Sequence, residues 1–365
     1  MTTKGKAVLI VLCLCLSGLL FAPQAVAAES ETLDLAPLER AAGEAAPEMN
    51  LEFGVDWNRG LENLLDTGTG EVFGILKRAV KSGVLLLVIV LMCSLAEGAA
   101  TLGAGGFHGI NMVGMMAVCA ISVGDVHSLM GLGRDAISRL SAFADLLLPT
   151  LAAAAAAGGT PTSAAARQMA TVLFSDLLIQ LITRFLIPLT YLYIALCAAH
   201  AAIGNTGVTR IAKTLKGIVT SCLTAMLLVF VGYLSISGVI ASATDAVSVK
   251  TAKLAISGMV PVVGGVLSDA AETVLASAAI LRNAIGVFGA LVILGVCLMP
   301  FLQMGIHYII YKLSATLSAT VSEGKIAELI DNIGGAFAME LGMVASCGIL
   351  LLFGVISCLN AAGAV

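Results

Sequence analysis

Charge is what this sequence has least of. Asp, Glu, Lys and Arg make up 12% of its 365 residues, against about 25% in a soluble globular domain. A chain so short of charge cannot clothe a fully wetted surface, and its 59% hydrophobic content and mean hydropathy of +1.03 call for lipid as solvent. Positive charge is scarcer still. With 19 Lys and Arg against 23 Asp and Glu, the net charge of -4 offers no broad basic face to neutralise a phosphate backbone, so nucleic acid is excluded as a partner.

Chemistry-bearing motifs are also missing. The phosphate-cradling loop G-x-x-x-x-G-K-[ST] does not occur: Gly324-Lys325 is followed by Ile326 and lacks the upstream glycine. Any nucleotide energy source therefore sits on another chain. Gly131-x-Gly133-x-x-Ala136 matches a dinucleotide fingerprint only on paper, because no strand precedes it. No HExxH pair is present, and His108, His127, His200 and His307 stand far apart with no carboxylate at metal-ligand spacing, so they read as polar side chains packed between helices. Nine cysteines form no CxxC pair. Cys13 and Cys15 lie in the leader, and Cys93, Cys119, Cys197, Cys222, Cys297, Cys347 and Cys358 lie in or beside apolar runs, where a thiol acts as a small hydrophobe. No catalytic residue, metal or cofactor is expected.

What is present begins with an export signal. Lys4 and Lys6 precede an apolar stretch from Ala7 to Phe21, and Ala25-Val26-Ala27 precedes Glu29, which predicts a signal peptide over residues 1–27. An uncleaved anchor would leave the topology the same. Residues 28–78 form an acidic segment on the extracytoplasmic side, with Glu29, Asp34, Glu44, Glu52, Glu62 and Glu71 among its acids. Its Ala, Pro and Glu-rich front is expected to be mobile. The stretch from Leu51 to Leu65 is expected to form a short amphipathic helix, with Trp57 at the headgroup level.

A charge at mid-membrane costs roughly 3 kcal/mol, so runs free of Asp, Glu, Lys and Arg mark candidate spans. They cover 82–96, 98–124, 146–166, 185–209, 217–244, 254–268, 283–311 and 341–365. A span needs about 20 residues. Two runs are marginal, and each holds a proline and a Gly-Gly pair: Pro149 with Gly158-Gly159, and Pro261 with Gly264-Gly265. Pro149 and Pro188 stand 39 residues apart, as do Pro261 and Pro300, and each recurs at an offset of 112. Segment order agrees as well. After a first transmembrane pair over 79–124, residues 125–244 and 245–365 are read as a diverged tandem repeat. The fold class is therefore an all-α polytopic membrane protein of six to eight hydrophobic segments with Pro/Gly-broken helices. Arg210, Lys213 and Lys216 place their connector in the cytoplasm. The matching connector, with Lys325 against Glu323, Glu328 and Asp331, casts no such vote, so inverted and parallel repeats both stay open.

Ionisable groups at span margins are the candidates for a polar lining: Glu97, Asp145, Asp176, Arg184, Asp269, Glu272, Arg282 and Glu340, with Asn283 beside them. The bland alternative is that all of them snorkel to the headgroups. Pro261, Gly264, Gly265 and Pro300 are the candidate packing or hinge positions, and Gly105, Gly109, Gly286, Gly289 and Ala290 suit close helix packing.

From Ser257 to Ala319 the chain reads Pro261-Val262-Val263-Gly264-Gly265, Ser268-Asp269, Arg282-Asn283-Ala284, Pro300 and Tyr311-Lys312-Leu313. With the signal and the multi-span layout, this resembles the stage III sporulation protein AE family of endospore-forming bacteria. The resemblance implies a place in the mother-cell membrane around the engulfed forespore. There the chain would join other products of its operon, among them a secretion-type ATPase on another chain, and a forespore partner in a trans-compartment channel or feeding apparatus. It would act by assembly, and a homo-oligomer is also admitted. The alternatives are a secondary transporter of a small solute, built from the segments at Pro149 and Pro261, and, more weakly, an intramembrane enzyme.

Overall fold

A bilayer core offers no water to backbone N–H and C=O groups, so an apolar chain of this kind must satisfy them within helices. The structure, a computed structural model, describes residues 35–49, 53–54, 56–101, 110–159, 161–203, 206–259, 264–321 and 325–360, with the backbone alone for 237–259 and 264–275. The expected signal peptide, Pro261 and the glycines at 105 and 109 lie outside the described residues.

Among the described residues the elements are α1 (Ala36–Ala45), α2 (Trp57–Thr101), α3 (Ile110–Ala157), α4 (Pro161–Leu181), a π-helical turn (Ile182–Leu186), α5 (Ile187–Ile203), α6 (Thr206–Met259), α7 (Gly264–Ala319) and α8 (Lys325–Asn360). Six helical stretches are long and apolar enough to cross a membrane: Trp57–Ala99, Met112–Ala157, Ala164–Ile203, Gly207–Ile236, Ala276–Ala319 and Lys325–Leu359. The all-α polytopic fold class is thereby established.

α7 and α8 form the central antiparallel hairpin. Gly286 packs against Leu359, Gly348 against Cys297 and Gly334 against Tyr311, so numbers fall on one helix as they rise on the other. α3 lies antiparallel to α7, with Gly289 against Leu147 and Gly133 against Met304. The line α4–π–α5 runs antiparallel to α8, from Thr171 on Gly354 to Tyr193 on Asn332. α6 flanks this line, stacking Phe230 on Phe174 with ring centroids 5.4 Å apart.

Several expectations change. The stretch around Trp57 is the start of the 45-residue α2, which runs on through 78 and 79, and not a short surface helix. Its buried stripe of Gly60, Leu64, Gly68, Ile75, Ala79, Gly83, Leu86 and Val90 recurs at three, four or, between Gly68 and Ile75, seven residues, which keeps one face of a helix on α7 while the charges at 59–81 point away. Residues 36–45 of the acidic front are helical as α1, with Leu38, Ala42 and Ala45 buried against α3 and α7. The run at 98–124 is shared between α2 and α3. Pro149 and Pro300 sit inside helices that continue past them. The chain turns instead after Ala157, at Gly158 and Gly159, where Gly159 adopts φ +86°.

Candidate functional site

Polar side chains inside a membrane bundle are costly unless they find each other, so their pairings mark the candidate site. The principal set lies where α2, α3, α7 and α8 meet. Tyr311 on α7 is fully buried and donates its hydroxyl proton to Asp125 Oδ2 on α3 at 2.7 Å, with Ser122 Oγ at 3.4 Å. Its ring stands edge-on to Phe337 of α8 at 5.0 Å, and His307, one turn earlier on α7, meets the same Phe337 at 6.2 Å. His307 Nδ1 lies 2.7 Å from the Gln303 carbonyl, which fixes the imidazole along its own helix. Arg78, Lys81 and Ser82 of α2, Asp125 and Ser128 of α3, and Gln303 and His307 of α7 line one cavity of about 320 Å³. This groove is polar, and it opens toward the exposed side of α2, where Arg78 and Lys81 stand.

Deeper in the bundle, Glu340 of α8 is 0% exposed, and neither carboxylate oxygen has a hydrogen-bond partner among the described residues. A Cβ added at Gly133 would lie 2.5 Å from Glu340 Oε1 and 2.9 Å from Met304 Cε. Gly133 thus leaves room for the carboxylate, and a larger residue there would push the ends of Glu340 and Met304 aside. The charged neighbour within reach of Glu340 is Arg134 of α3. Further polar ties lie toward the α5–α6 side. Lys312 of α7 pairs with Asp331 of α8, the Tyr193 hydroxyl donates to Asn332 Oδ1 at 3.3 Å, and His200 Nε2 lies 3.7 Å from Glu328. On the opposite flank of α3, an apolar cavity of about 350 Å³ lies between Cys119, Val123, Tyr191, Ala195 and Ile333.

Among the described residues, those nominated from the sequence do not converge. Glu340 and Arg282 are buried, in different parts of the bundle. Asp176 and Asp145 are exposed neighbours of like charge on α4 and α3. Arg184, in the π-turn, and Asn283 are exposed, Glu97 is half-buried near Cys93, and Pro300 is buried facing α1. At Gly264, Gly265, Asp269 and Glu272 the backbone is helical and the side chains lie outside the described residues. Sequence reasoning passed over Asp125, Arg134 and Arg167, while His307 is packed between helices as expected. The signal that could have found Asp125 and Arg134 is their position between charge-free runs, inside what proves to be one continuous helix. Chemically, the centre offers hydrogen-bonded pairs and ion pairs that fasten helices together. Among the described residues no group of three His, Cys, Asp or Glu side chains could hold a metal ion.

A family model described as stage III sporulation protein AE matches residues 49–363. Among curated proteins, the stage III sporulation protein AE of Bacillus subtilis (strain 168) is 24% identical over 218 residues, which make up 60% of this chain and 55% of that relative. The match thus spans about half the relative's length. No solved structure matches the chain.

Proposed function

This chain belongs to the stage III sporulation protein AE family, and from that premise we propose that it is an integral membrane component of the mother-cell/forespore channel, working by assembly with partner proteins and not by catalysis. It sits in the mother-cell membrane around the forespore, with the acidic residues 28–78 on the extracytoplasmic side, beside other stage III operon products and a forespore partner. Its energy comes from an ATPase on another chain. The observation that carries this reading is the family match over most of a chain with six apolar helices fit to span a membrane. The polar centre supports assembly, since Tyr311 with Asp125 and Lys312 with Asp331 tie helices to one another.

Affinity purification of the full chain from sporulating cells after crosslinking tests assembly. Recovery of operon partners, with no saturable solute uptake by the chain alone in proteoliposomes, is the expected result. Saturable uptake without partners would move a secondary transporter to first place. The buried Glu340 and Arg282 are the features that favour that second reading.

A further inference from the structure

The groove beside Tyr311 brings together groups that the ties between helices do not use. Arg78 and Lys81 of α2 are exposed at its mouth. Asp125, half-buried and already accepting the Tyr311 proton, lines it with Ser128 and Gln303 around about 320 Å³ of space. Two cations, a carboxylate and neutral hydrogen-bonding side chains thus face one open cavity.

The groove lies where the outer surface changes character. On α2 no charge follows Lys81 until Glu97, and the large side chains exposed between them are Val84, Leu85, Val88, Leu91, Met92 and Leu95. On α3 the change falls beside Asp125: Met112, Val113, Met116 and Val123 are exposed and apolar, whereas every exposed residue from Gly124 to Asp145 is charged, polar or small. The two transitions are level, because Gly83 packs on Ile310 and the next residue of α7, Tyr311, bonds Asp125. That level is headgroup depth, with acyl chains on one side of it and water on the other. Leu85 lines the groove, and Val88 and Met92 continue its face of α2 into the apolar zone.

We propose that this groove binds the headgroup of an anionic membrane phospholipid, with the phosphate on Arg78 and Lys81. A guanidinium fork and an ammonium suit a phosphodiester, and basic side chains at this depth attract anionic lipid. Asp125 adds a requirement. An ionised carboxylate only accepts hydrogen bonds, so the far end of the headgroup must donate, as the hydroxyls of phosphatidylglycerol do, and Ser128 and Gln303 can bond the same hydroxyls. A choline headgroup has no such donor. One acyl chain then lies along Leu85, Val88 and Met92. The site does not depend on the channel reading and would hold for a transporter as well.

The test uses the purified full chain in a neutral detergent, following thermal unfolding on titration with phosphatidylglycerol, phosphatidylethanolamine, phosphatidylcholine or soluble glycerol phosphate. Phosphatidylglycerol should raise the midpoint at the lowest concentration. Changing Arg78→Gln together with Lys81→Gln should weaken that response by roughly tenfold or more. Lys77→Gln, which removes an exposed cation outside the groove, should leave it unchanged. Equal weakening by Lys77→Gln, an undiminished response in the double variant, or equal responses to the three lipids would overturn the site. An equal rise with glycerol phosphate would assign the groove to a free anion and overturn the lipid source. If the double variant does not fold, Arg78→Gln and Lys81→Gln are compared singly by native mass spectrometry: reduced retention of phosphatidylglycerol in either supports the proposal, and unchanged retention in both overturns it.

Discussion

The α7–α8 hairpin and the rim helices α2 and α6 are built from equally apolar sequence, yet they use it in opposite ways. In the most apolar stretches of α7 and α8, 61% and 56% of residues are buried within the protein, against 28% and 22% in α2 and α6. Rim residues such as Leu91, Leu95, Leu228 and Ile236 face outward, where lipid or a partner helix can cover them. Hydropathy thus marks what enters the membrane, while small residues and polar ties mark what becomes the centre. Between helices in lipid, apolar contact alone gives no preference, so the centre depends on close packing at glycines and on buried hydrogen bonds.

The comparison can be broken most severely at the central glycines. A Cβ at Gly354 would meet Thr171 Cγ2 at 2.5 Å, Oγ1 at 2.7 Å and Cβ at 3.2 Å, a short branched side chain that is itself fully buried. Gly354→Val should cost about 1–3 kcal/mol or more through overpacking, visible as a fall in folded yield and unfolding midpoint after detergent extraction. Tyr311→Phe comes next: it leaves the half-buried Asp125 without its 2.7 Å donor, at about 1 kcal/mol. An unchanged midpoint would mean that the polar centre does not hold the helices.

Smaller effects sharpen the same contrast. The Lys312–Asp331 pair has side chains 35% and 46% exposed, so Asp331→Asn should cost no more than about 1 kcal/mol and should lose that difference in high salt. On the rim, Gly232 of α6 has nothing among the described residues within 4 Å of a built Cβ, and Gly232→Ala should be neutral or stabilising by up to about 1 kcal/mol through helix propensity. If Gly232→Ala damaged the isolated chain as Gly354→Val does, the division into centre and rim would fail.

Much of the helical layout was legible because apolarity is a local property. The described parts of the runs at 185–209, 217–244, 283–311 and 341–365 fall mainly on α5, α6, α7 and α8. The run at 82–96 also falls on α2, but it stops short of the helix's extent, because Arg59, Glu62, Asp66 and Glu71 lie on the exposed face of a helix that begins at Trp57 and whose glycines pack on α7. Prolines misled for a related reason. A helix supported by its neighbours can carry Pro149 or Pro300 without ending there. The candidate site was half legible: Glu340 and Arg282 stood out as charges at span margins, but burial sets them apart from the exposed Asp176, Arg184 and Asn283. Tyr311 and Asp125 are 186 residues apart, and only the packing of α3 on α7 brings them within hydrogen-bond distance.

The central claim is a membrane role in endospore formation, and microscopy of a deletion strain during sporulation tests it most directly, scoring forespore size and late forespore gene expression after engulfment. The account predicts forespores that form, are engulfed and then shrink with late expression stalled, restored by the unchanged chain and not by Gly354→Val. Normal maturation of spores in the deletion strain would contradict it.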